Sequence, residues 1–280
     1  MPAACLRQLL DDALADGRAV PAFNVVDELS MDAVLAGAAR ARSPVVVQVS
    51  VRTAKYWGRE PLAAAFETRS RLHSTTAVLH LDHCTDPLFL LACLDSGWTS
   101  ALIDTSHLPY AESVRTTRGV VRTAAAYDAV IEGEFERIPR LDDSGDSGEQ
   151  GASSSLDDEV AFLEATGVHC LGPALGTRHG MHIDEPEIDH DRARRLSALT
   201  RVVLHGGSGL SEGCLRKVVA SGVTKINFSS VLKQTYVSAV RDFAGTTGTE
   251  PLDWMSTAHT RIGELCGHYA RVTGSAGACR

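Results

Sequence analysis

Short runs of β-branched and other apolar residues alternate along this chain with longer stretches in which apolar residues recur every three or four positions. The short runs predict strands at 20–26, 45–50, 77–83, 100–106, 129–135, 168–175, 201–206 and 223–229. The longer stretches, for example 31–42 and 112–127, have the spacing of amphipathic helices. Eight strands that alternate with helices over 280 residues predict a single-domain α/β protein, a (β/α)8 TIM barrel covering residues 1–280.

Residues at the ends of these patterns agree with the alternation. Ser30 and Ser211 are typical of helix N-termini, and helices are expected to end at Gly97, Gly167 and Gly222. The competing fold is an open, doubly wound sheet, which normally has a glycine-rich turn after its first strand. Residues 20–28 contain no glycine, so the pattern favours the barrel.

One segment, 138–155 (IPRLDDSGDSGEQGASSS), interrupts the alternation. It is rich in glycine, serine and aspartate and has no apolar period, which predicts a flexible loop. The loop follows the fifth predicted strand, and the carboxyl ends of barrel strands carry the chemistry of such folds. Two interpretations therefore stay open: a solvated surface loop, or a lid that closes over a site.

Composition and charge narrow the possible partners. The chain has 27 Lys and Arg against 35 Asp and Glu, a net charge of −8, so no broad basic surface is expected to bind nucleic acid or an anionic membrane. No apolar run approaches the length of a membrane span. Seven scattered cysteines without a CxxC pair, and a first segment unlike a signal peptide, predict reduced thiols and a cytoplasmic protein.

Polar side chains capable of chemistry stand at the carboxyl end of every predicted strand. A barrel brings these ends onto one face, so residues distant in sequence should meet there. The residues concerned are Asn24, Ser50, Asp82, His83, Asp104, Glu134, His179, His205, Asn227, Ser229 and Ser230. Their recurrence at all eight strands predicts a functional site on this face.

Three of these residues are histidines that would face one axis: His83, His179 and His205. Neutral imidazole nitrogens suit Zn²⁺, and three of them with an open fourth position are typical of a catalytic zinc site. A single histidine at a strand end is more often a hydrogen-bonded structural residue, but three together favour the metal. Two other histidines, His80 and His107, are expected to have structural or supporting roles.

Two further features would lie beside such a metal. Asp82 could shuttle protons at a bound substrate, or it could instead orient one of the histidines. The glycine-rich segment 205–210 opens a predicted helix, and its backbone amides could hold an anion. Loops after strands seven and eight commonly hold phosphate in barrels, and Asn227, Ser229 and Ser230 supply more donors there.

The order of these motifs resembles class II, metal-dependent ketose-phosphate aldolases, the fructose-bisphosphate and tagatose-bisphosphate aldolase family. The resemblance extends over nearly the whole chain, and its most specific parts are LDH (81–83), GT-x-HG (176–180) and HGGSG (205–209) in this order. The other matching segments are PAFNVVDE (21–28), QVS (48–50), AKYWG (54–58), DTSHLPY (104–110), EGEF (132–135), GVTKIN (222–227) and GSAG (274–277).

The resemblance implies a zinc-dependent enzyme that makes or cleaves a carbon–carbon bond between dihydroxyacetone phosphate and an aldehyde. The implied zinc ligands are His83, His179 and His205. Asp82 would be the acid or base at the acceptor's carbonyl oxygen, and Asp104 and Glu134 would hold a second divalent metal or a monovalent cation. The implied binding residues for the phosphorylated substrate are Gly180, Gly206, Gly207, Ser208, Asn227, Ser229 and Ser230, and Asn24 and Ser50 are further candidates. A homodimer or homotetramer is expected.

Residues around these motifs depart from the family pattern. The departures are Val51-Arg52, Cys84, Glu136, Arg178, His182-Ile183 and Val231. The loop also lacks the Gly-Gly-Glu pattern of the family's proton-abstracting acid, which Asp146 or Glu149 could replace. These differences favour an unusual aldehyde acceptor, and Arg52 and Arg178 could bind its phosphate or carboxylate, or could be solvated.

Three alternatives to a sugar-bisphosphate aldolase stay open from the residues. One is a dedicated pathway aldolase with a non-standard aldehyde acceptor. Another is a zinc hydrolase, because the same three imidazoles could activate water. The last is a non-catalytic barrel that binds a sugar phosphate. None of these needs a lysine Schiff base, and Lys225 is expected to balance charge or to be structural.

Overall fold

Parallel strands close into a barrel in the order of the sequence, and β8 pairs with β1. The computed structural model describes residues 5–139, 154–182 and 184–279. Its strands are β1 (Val20–Val25), β2 (Val45–Ser50), β3 (Ala77–Cys84), β4 (Ser100–Asp104), β5 (Val130–Glu134), β6 (Cys170–Leu171), β7 (Arg201–Leu204) and β8 (Val223–Phe228). This closed barrel confirms the predicted (β/α)8 fold.

Helices connect the strands and surround the barrel. Within the described residues they are α1 (Leu6–Ala15), α2 (Glu28–Ala41), α3 (Val51–Trp57), α4 (Arg59–His73), α5 (Pro87–Asp95), α6 (Tyr110–Ala124), α7 (Leu156–Thr166), α8 (His190–Ser197), α9 (Glu212–Ala220), α10 (Ser230–Ala244) and α11 (Pro251–Val272). A single 3₁₀ turn, Ala125–Tyr127, extends α6.

Alternate residues of each strand point to opposite sides of the barrel wall, and this alternation separates two cores. Outward-facing residues such as Phe23, Val47 and Leu79 pack under the helices in the main core. Inward-facing apolar residues form a smaller core with α1: Leu6, Leu9, Leu10, Ala13, Val20, Ala22, Val46, Val78, Val130, Cys170 and Val203. Because α1 closes the amino-terminal end of the barrel, the inward polar residues gather in the carboxyl half.

Helix α2 begins earlier than the sequence predicted. Its N-cap is Asp27 and not Ser30: the Asp27 carboxylate accepts the Ser30 amide at 2.8 Å, and the Ser30 hydroxyl accepts the Asp27 amide at 3.1 Å. This reciprocal capping box places Ser30 in the first turn. Ser211 caps α9 as predicted. The glycines predicted at helix ends, Gly97, Gly167 and Gly222, have φ angles of 92°, 70° and 88°.

Strand β6 is shorter than the apolar run that predicted it. Only Cys170 and Leu171 pair with neighbouring strands. Gly172 donates one further bond to the Gly133 carbonyl at 3.0 Å, but Pro173 has no amide hydrogen with which to continue the ladder. The predicted flexible loop at 138–155 falls largely on 140–153, outside the described residues, so its role as a lid stays a prediction.

Two sequence expectations concern compartment and membranes. In the part of the chain that the structure describes, no helix combines the length and the hydrophobicity needed to cross a bilayer. All seven cysteines are free, and five of them are buried. A cytoplasmic location stays a prediction.

We expect Gly37→Ala to lower the free energy of unfolding by about 1–3 kcal/mol. Gly37 lies on α2 against α11, and an added Cβ would lie 2.4 Å from the Gly263 carbonyl oxygen, a backbone atom that cannot move aside alone. Gly119→Ala, at an exposed position of α6, is the matched control because no atom of a neighbouring element lies within 4 Å of its added Cβ. It should raise the free energy of unfolding by about 0.5–1 kcal/mol.

Urea unfolding followed by circular dichroism measures both variants. An unchanged or increased stability of Gly37→Ala would contradict the close approach of α2 and α11.

Candidate active site

The carboxyl ends of the strands surround a cavity of about 740 Å³. Most residues predicted for the site line it, namely Asn24, Ser50, Asp82, His83, His179, Gly180, Gly206, Ser208, Asn227, Ser229 and Ser230. Val51, Arg52, Met181, Lys233 and Gln234 also line it. His205, Asp104 and Glu134 lie next to its base through their contacts with His83, as described below. Residues from six of the eight strands, or from the loops that follow them, thus meet at this cavity, as their positions at strand ends predicted.

The three predicted histidines converge beside this cavity. One ring nitrogen each from His83, His179 and His205 lies within 4.8 Å of the other two. The ring centroid of His83 lies 4.8 Å from that of His179 and 4.9 Å from that of His205. Three imidazoles at this spacing could hold one metal ion.

His83 reaches the mouth of the barrel through an unusual backbone conformation. Asp82 points inward on β3, so regular alternation would point His83 outward. Instead, His83 has a φ of 47°, and the register between β3 and β4 shifts between Leu81 and Cys84. An irregularity of this kind at a strand end re-aims a side chain, and here it turns the His83 ring toward the other two histidines.

A second group of possible ligands shares His83. The His83 Nδ1 atom lies 3.5 Å from Asp104 Oδ2 and 3.5 Å from Glu134 Oε2. Burial alone lowers the pKa of His83, but Glu134, Asp82 and Asp104 together raise it to about 10. Without a metal, the surplus of carboxylates around His83 therefore holds a proton on its ring. A divalent or monovalent cation between these groups would relieve the same surplus of negative charge.

His205 is fully buried and held from behind by Glu132. The Glu132 Oε1 atom accepts from His205 Nε2 at 2.7 Å, and Glu132 Oε2 accepts from Lys225 Nζ at 2.7 Å. This contact leaves the His205 Nδ1 atom facing Glu134 Oε2 at 2.9 Å, without hydrogen-bond geometry. Neither of these two buried atoms has a hydrogen-bond partner among the described residues. Buried polar atoms are normally satisfied, and a cation at this point would contact both the nitrogen and the oxygen.

The contact between His205 and Glu132 depends on the small size of Gly172. A Cβ at Gly172 would lie 2.7 Å from His205 Nε2, the atom that Glu132 engages. Any side chain there would therefore displace the ring, which explains a glycine immediately after the short strand β6.

Sequence reasoning missed Glu132. It shares the inward face of β5 with Glu134, two residues further on, and this spacing was the signal that could have identified it. The expectation that Lys225 balances charge is confirmed by its ion pair with Glu132. His80 also has the structural place expected: its Nδ1 lies 3.0 Å from Ser100 Oγ, and burial lowers its pKa to about 3.

Asp82 is positioned by side-chain amides on β1 and β2. Asn24 Nδ2 donates to Asp82 Oδ2 at 2.6 Å, and Gln48 Nε2 lies 2.9 Å from Asn24 Oδ1 and 3.4 Å from Asp82 Oδ1. Burial raises the pKa of Asp82, but His83, His205 and Lys225 outweigh it and lower the pKa. Asp82 is therefore an ionised carboxylate at the mouth, able to accept a proton from a group in the cavity.

The glycine-rich loop after β7 packs closely on its surroundings. Gly206 has a φ of 71°, and a Cβ there would lie 2.3 Å from the Arg178 carbonyl oxygen. The Ser208 hydroxyl accepts the amides of Ser229 at 3.2 Å and Val231 at 3.3 Å, which ties the β7 and β8 loops together. The Gly207 amide donates to the Asn227 carbonyl at 3.0 Å, and Gly207 itself does not line the cavity. The loop thus has a fixed shape beside the histidines.

The departures from the family pattern have different places in the structure. Cys84 belongs to the main core, and burial raises its thiol pKa to about 11. Glu136 accepts from Arg192 at 2.8 Å and from the backbone amides of Ser154 and Ala174 at 2.7 Å and 3.0 Å. Arg178 lines a separate cavity, together with Glu136.

Among the departures that the structure describes, Val51 and Arg52 line the cavity beside the histidines, and Arg52 is the charged one of the two. Asp146 and Glu149, the candidate lid acids, lie outside the described residues, as does Ile183.

Comparison with known proteins agrees with this geometry. The chain matches the family model described as fructose-bisphosphate aldolase class-II over residues 4–278. The YdjI aldolase from Escherichia coli K12 is similar in structure, with a TM-score of 0.85, 21% identity and 99% of each chain covered. A putative fructose-1,6-biphosphate aldolase from Coccidioides immitis has a TM-score of 0.86, 24% identity and 99% of each chain covered.

The fructose-bisphosphate aldolase from Campylobacter jejuni has a TM-score of 0.81 and 20% identity, over 97% of this chain and 94% of that one. Structural similarity at these identities establishes the shared fold. Because the family model matches nearly the whole chain, this protein belongs to the class II fructose-bisphosphate aldolase family and is an aldolase, a lyase of carbon–carbon bonds.

Proposed function

We propose that this aldolase depends on zinc and uses dihydroxyacetone phosphate as its donor, which it joins to an aldehyde or releases from a ketose phosphate. The observation that carries the proposal is the convergence of His83, His179 and His205, whose ring nitrogens lie within 4.8 Å of one another beside the cavity. Three nitrogen donors with an open side toward a cavity suit Zn²⁺ better than an oxygen-seeking ion.

The donor set fits the ion, and each group would have a distinct task. His83, His179 and His205 would hold Zn²⁺, and Glu132 would keep the His205 ring oriented through Nε2. When bound, the ion supplies a positive charge that stabilises the negative charge developing on the donor's oxygens. Asp104 and Glu134 would hold a second divalent metal or a monovalent cation beside His83.

Asp82 would transfer the proton to and from the acceptor's oxygen. In the cleavage direction, its carboxylate takes the proton from the hydroxyl group next to the carbon–carbon bond. That bond then breaks, its electron pair passes to the donor fragment, and the hydroxyl carbon becomes the aldehyde. In the direction of synthesis the same proton returns to the aldehyde oxygen. The lowered pKa of Asp82 agrees with a resting carboxylate.

The donor's phosphate would lie at the loops that follow β7 and β8. Gly206, Ser208, Ser229 and Ser230 line that part of the cavity, with Gly180 and Asn227 close by. Phosphate binding there would orient the reacting carbon toward Asp82 and the metal, so that binding energy away from the reaction lowers its barrier. Asn24 and Ser50 would contact the rest of the substrate. A cytoplasmic homodimer or homotetramer is part of this proposal.

Fructose 1,6-bisphosphate should release triose phosphate in the presence of the zinc-loaded protein, and EDTA should abolish this release. A coupled dehydrogenase assay measures it. Metal-dependent proton exchange at dihydroxyacetone phosphate without cleavage of fructose 1,6-bisphosphate would indicate a different acceptor. Metal-dependent hydrolysis of esters without either reaction would instead support a zinc hydrolase. Binding of sugar phosphate with no turnover would indicate a non-catalytic barrel.

We expect His205→Ala to lose both zinc and activity, and Asp82→Asn to lose activity alone. His205→Ala removes a metal ligand, so zinc affinity should fall by more than about 100-fold and activity should be lost with it. Asp82→Asn keeps the size of the side chain and an acceptor for Asn24, so zinc content should stay at the wild-type level while kcat falls by about 10²–10⁴-fold. Elemental analysis and the cleavage assay separate the two, and an Asp82→Asn protein with full kcat would show that Asp82 is not the acid or base.

Zinc binding to the metal-free protein at pH 8 should release at least about one proton per ion. The His83 ring has a pKa raised to about 10, so it is protonated at pH 8 and must lose its proton to bind zinc. Apparent zinc affinity should accordingly rise between pH 7 and pH 8.5, by up to about tenfold per pH unit for each proton released. Titration calorimetry in buffers of different ionisation enthalpy counts the protons, and a count of zero would contradict a protonated His83.

A further inference from the structure

Arg52 is an exposed cation at the mouth of the barrel. It lines the same cavity as Asp82, His83 and His179. Among residues 5–139, 154–182 and 184–279, its side chain has no ion pair or hydrogen bond. Other exposed arginines, such as Arg115 and Arg271, also have no such contact among these residues, so what distinguishes Arg52 is its place in the wall of this cavity. An exposed guanidinium group that faces the cavity is available to a charged ligand.

The helix that carries Arg52 does not need it. Ser50 caps α3 by accepting the Thr53 amide at 3.2 Å, and Val51 packs against the main core. Arg52 lies in the first turn, where a positive charge is unfavourable because of the helix dipole. Lys55, one turn later on the same helix, lies over the Phe89 ring at 5.1 Å outside the cavity. Neither helix stability nor packing therefore accounts for the arginine.

The register of the strands places Arg52 on the acceptor's side of the cavity. Ser50, two residues before Arg52, is the register partner of Asp82. Asp82 is the group assigned to the acceptor's oxygen in the proposed function. The loops assigned to the donor's phosphate follow β7 and β8, and β1 separates β8 from β2 around the barrel. A substrate that places its aldehyde carbon at Asp82 would therefore extend its remaining atoms toward the end of β2.

We propose that Arg52 selects acceptor aldehydes that carry a negatively charged group, a phosphate or a carboxylate, by forked hydrogen bonds from its guanidinium to that anion. This inference rests on the proposed function, since it assigns the acceptor end of the same reaction. It also distinguishes two arginines that the sequence left equivalent: Arg52 lines the reaction cavity, whereas Arg178 does not. Arg52 is thus a specificity residue for the second substrate.

The test compares charged acceptors with neutral acceptors of similar size. D-Glyceraldehyde 3-phosphate is paired with D-glyceraldehyde, and succinic semialdehyde with butanal, each with saturating dihydroxyacetone phosphate and zinc-loaded enzyme. The variants are Arg52→Gln, Arg52→Lys and the control Lys55→Gln, which removes one positive charge from the same helix outside the cavity. Proton exchange at dihydroxyacetone phosphate without any acceptor, followed by NMR, reports the donor half-reaction separately.

Arg52→Gln should lower kcat/KM for the preferred anionic acceptor by about 10- to 100-fold and change that for its neutral counterpart by less than about threefold. Arg52→Lys should lie in between, because it keeps the charge but loses the fork. Lys55→Gln should match the wild type. Proton exchange at dihydroxyacetone phosphate should be the same in all four proteins. The acceptor pair with the larger loss identifies phosphate or carboxylate as the anion.

Equal losses for charged and neutral acceptors, or no loss at all, would overturn the assignment of Arg52. Loss of proton exchange in Arg52→Gln would also overturn it, because Arg52 would then serve the donor. Absence of proton exchange in the wild-type protein is a different result: it would refute the proposed donor chemistry, and the assignment of Arg52 would fail with it.

Discussion

The orientation of the side chains at the site depends on the carboxylate of Glu132, which lies deeper in the barrel. It lies between the ring of His205 and the ammonium group of Lys225, and all three side chains are fully buried. An isolated charge at such depth would be very costly, so the acid is tolerated only because both of its oxygens are engaged. The same engagement fixes which nitrogen of His205 faces the mouth. The nitrogen of His205 that would meet a metal in the proposed function is thus oriented by an ion pair one layer deeper in the barrel.

The pleat of the strands explains why this order of layers is possible. Inward positions near the start of the strands are apolar and covered by α1, those in the middle hold Glu132 and Lys225, and those at the end hold Asp82 and Glu134. Each layer excludes water from the one below, so the ion pair becomes stronger where it is buried. His83 is the exception to the pleat, and its left-handed backbone brings a third imidazole to a layer that alternation alone would not supply.

The sequence was sufficient for the barrel and for the strand-end residues, because topology alone brings the carboxyl ends of parallel strands together. It was insufficient for features that depend on contacts across the barrel. Glu132 and Lys225 lie 93 residues apart, and nothing in their local patterns links them before the sheet closes. The orientation of His83 depends on a φ angle, which periodicity does not encode. The start of α2 was misplaced because Asp27 and Ser30 are both good caps, and only their mutual hydrogen bonds decide between them.

The charged residues that depart from the family pattern differ in whether other groups of the protein neutralise them. Glu136 would be an unfavourable buried acid, but Arg192 and two backbone amides compensate it, and this cluster ties the start of α8 to the end of β5. Its neighbour Glu159 shares the same arginine, and burial raises the pKa of Glu159 to about 7, so the cluster carries little net charge. These groups therefore have a structural explanation. Arg52 has no ion pair among the described residues, and in the proposed function the anionic group of the acceptor would supply its counter-charge.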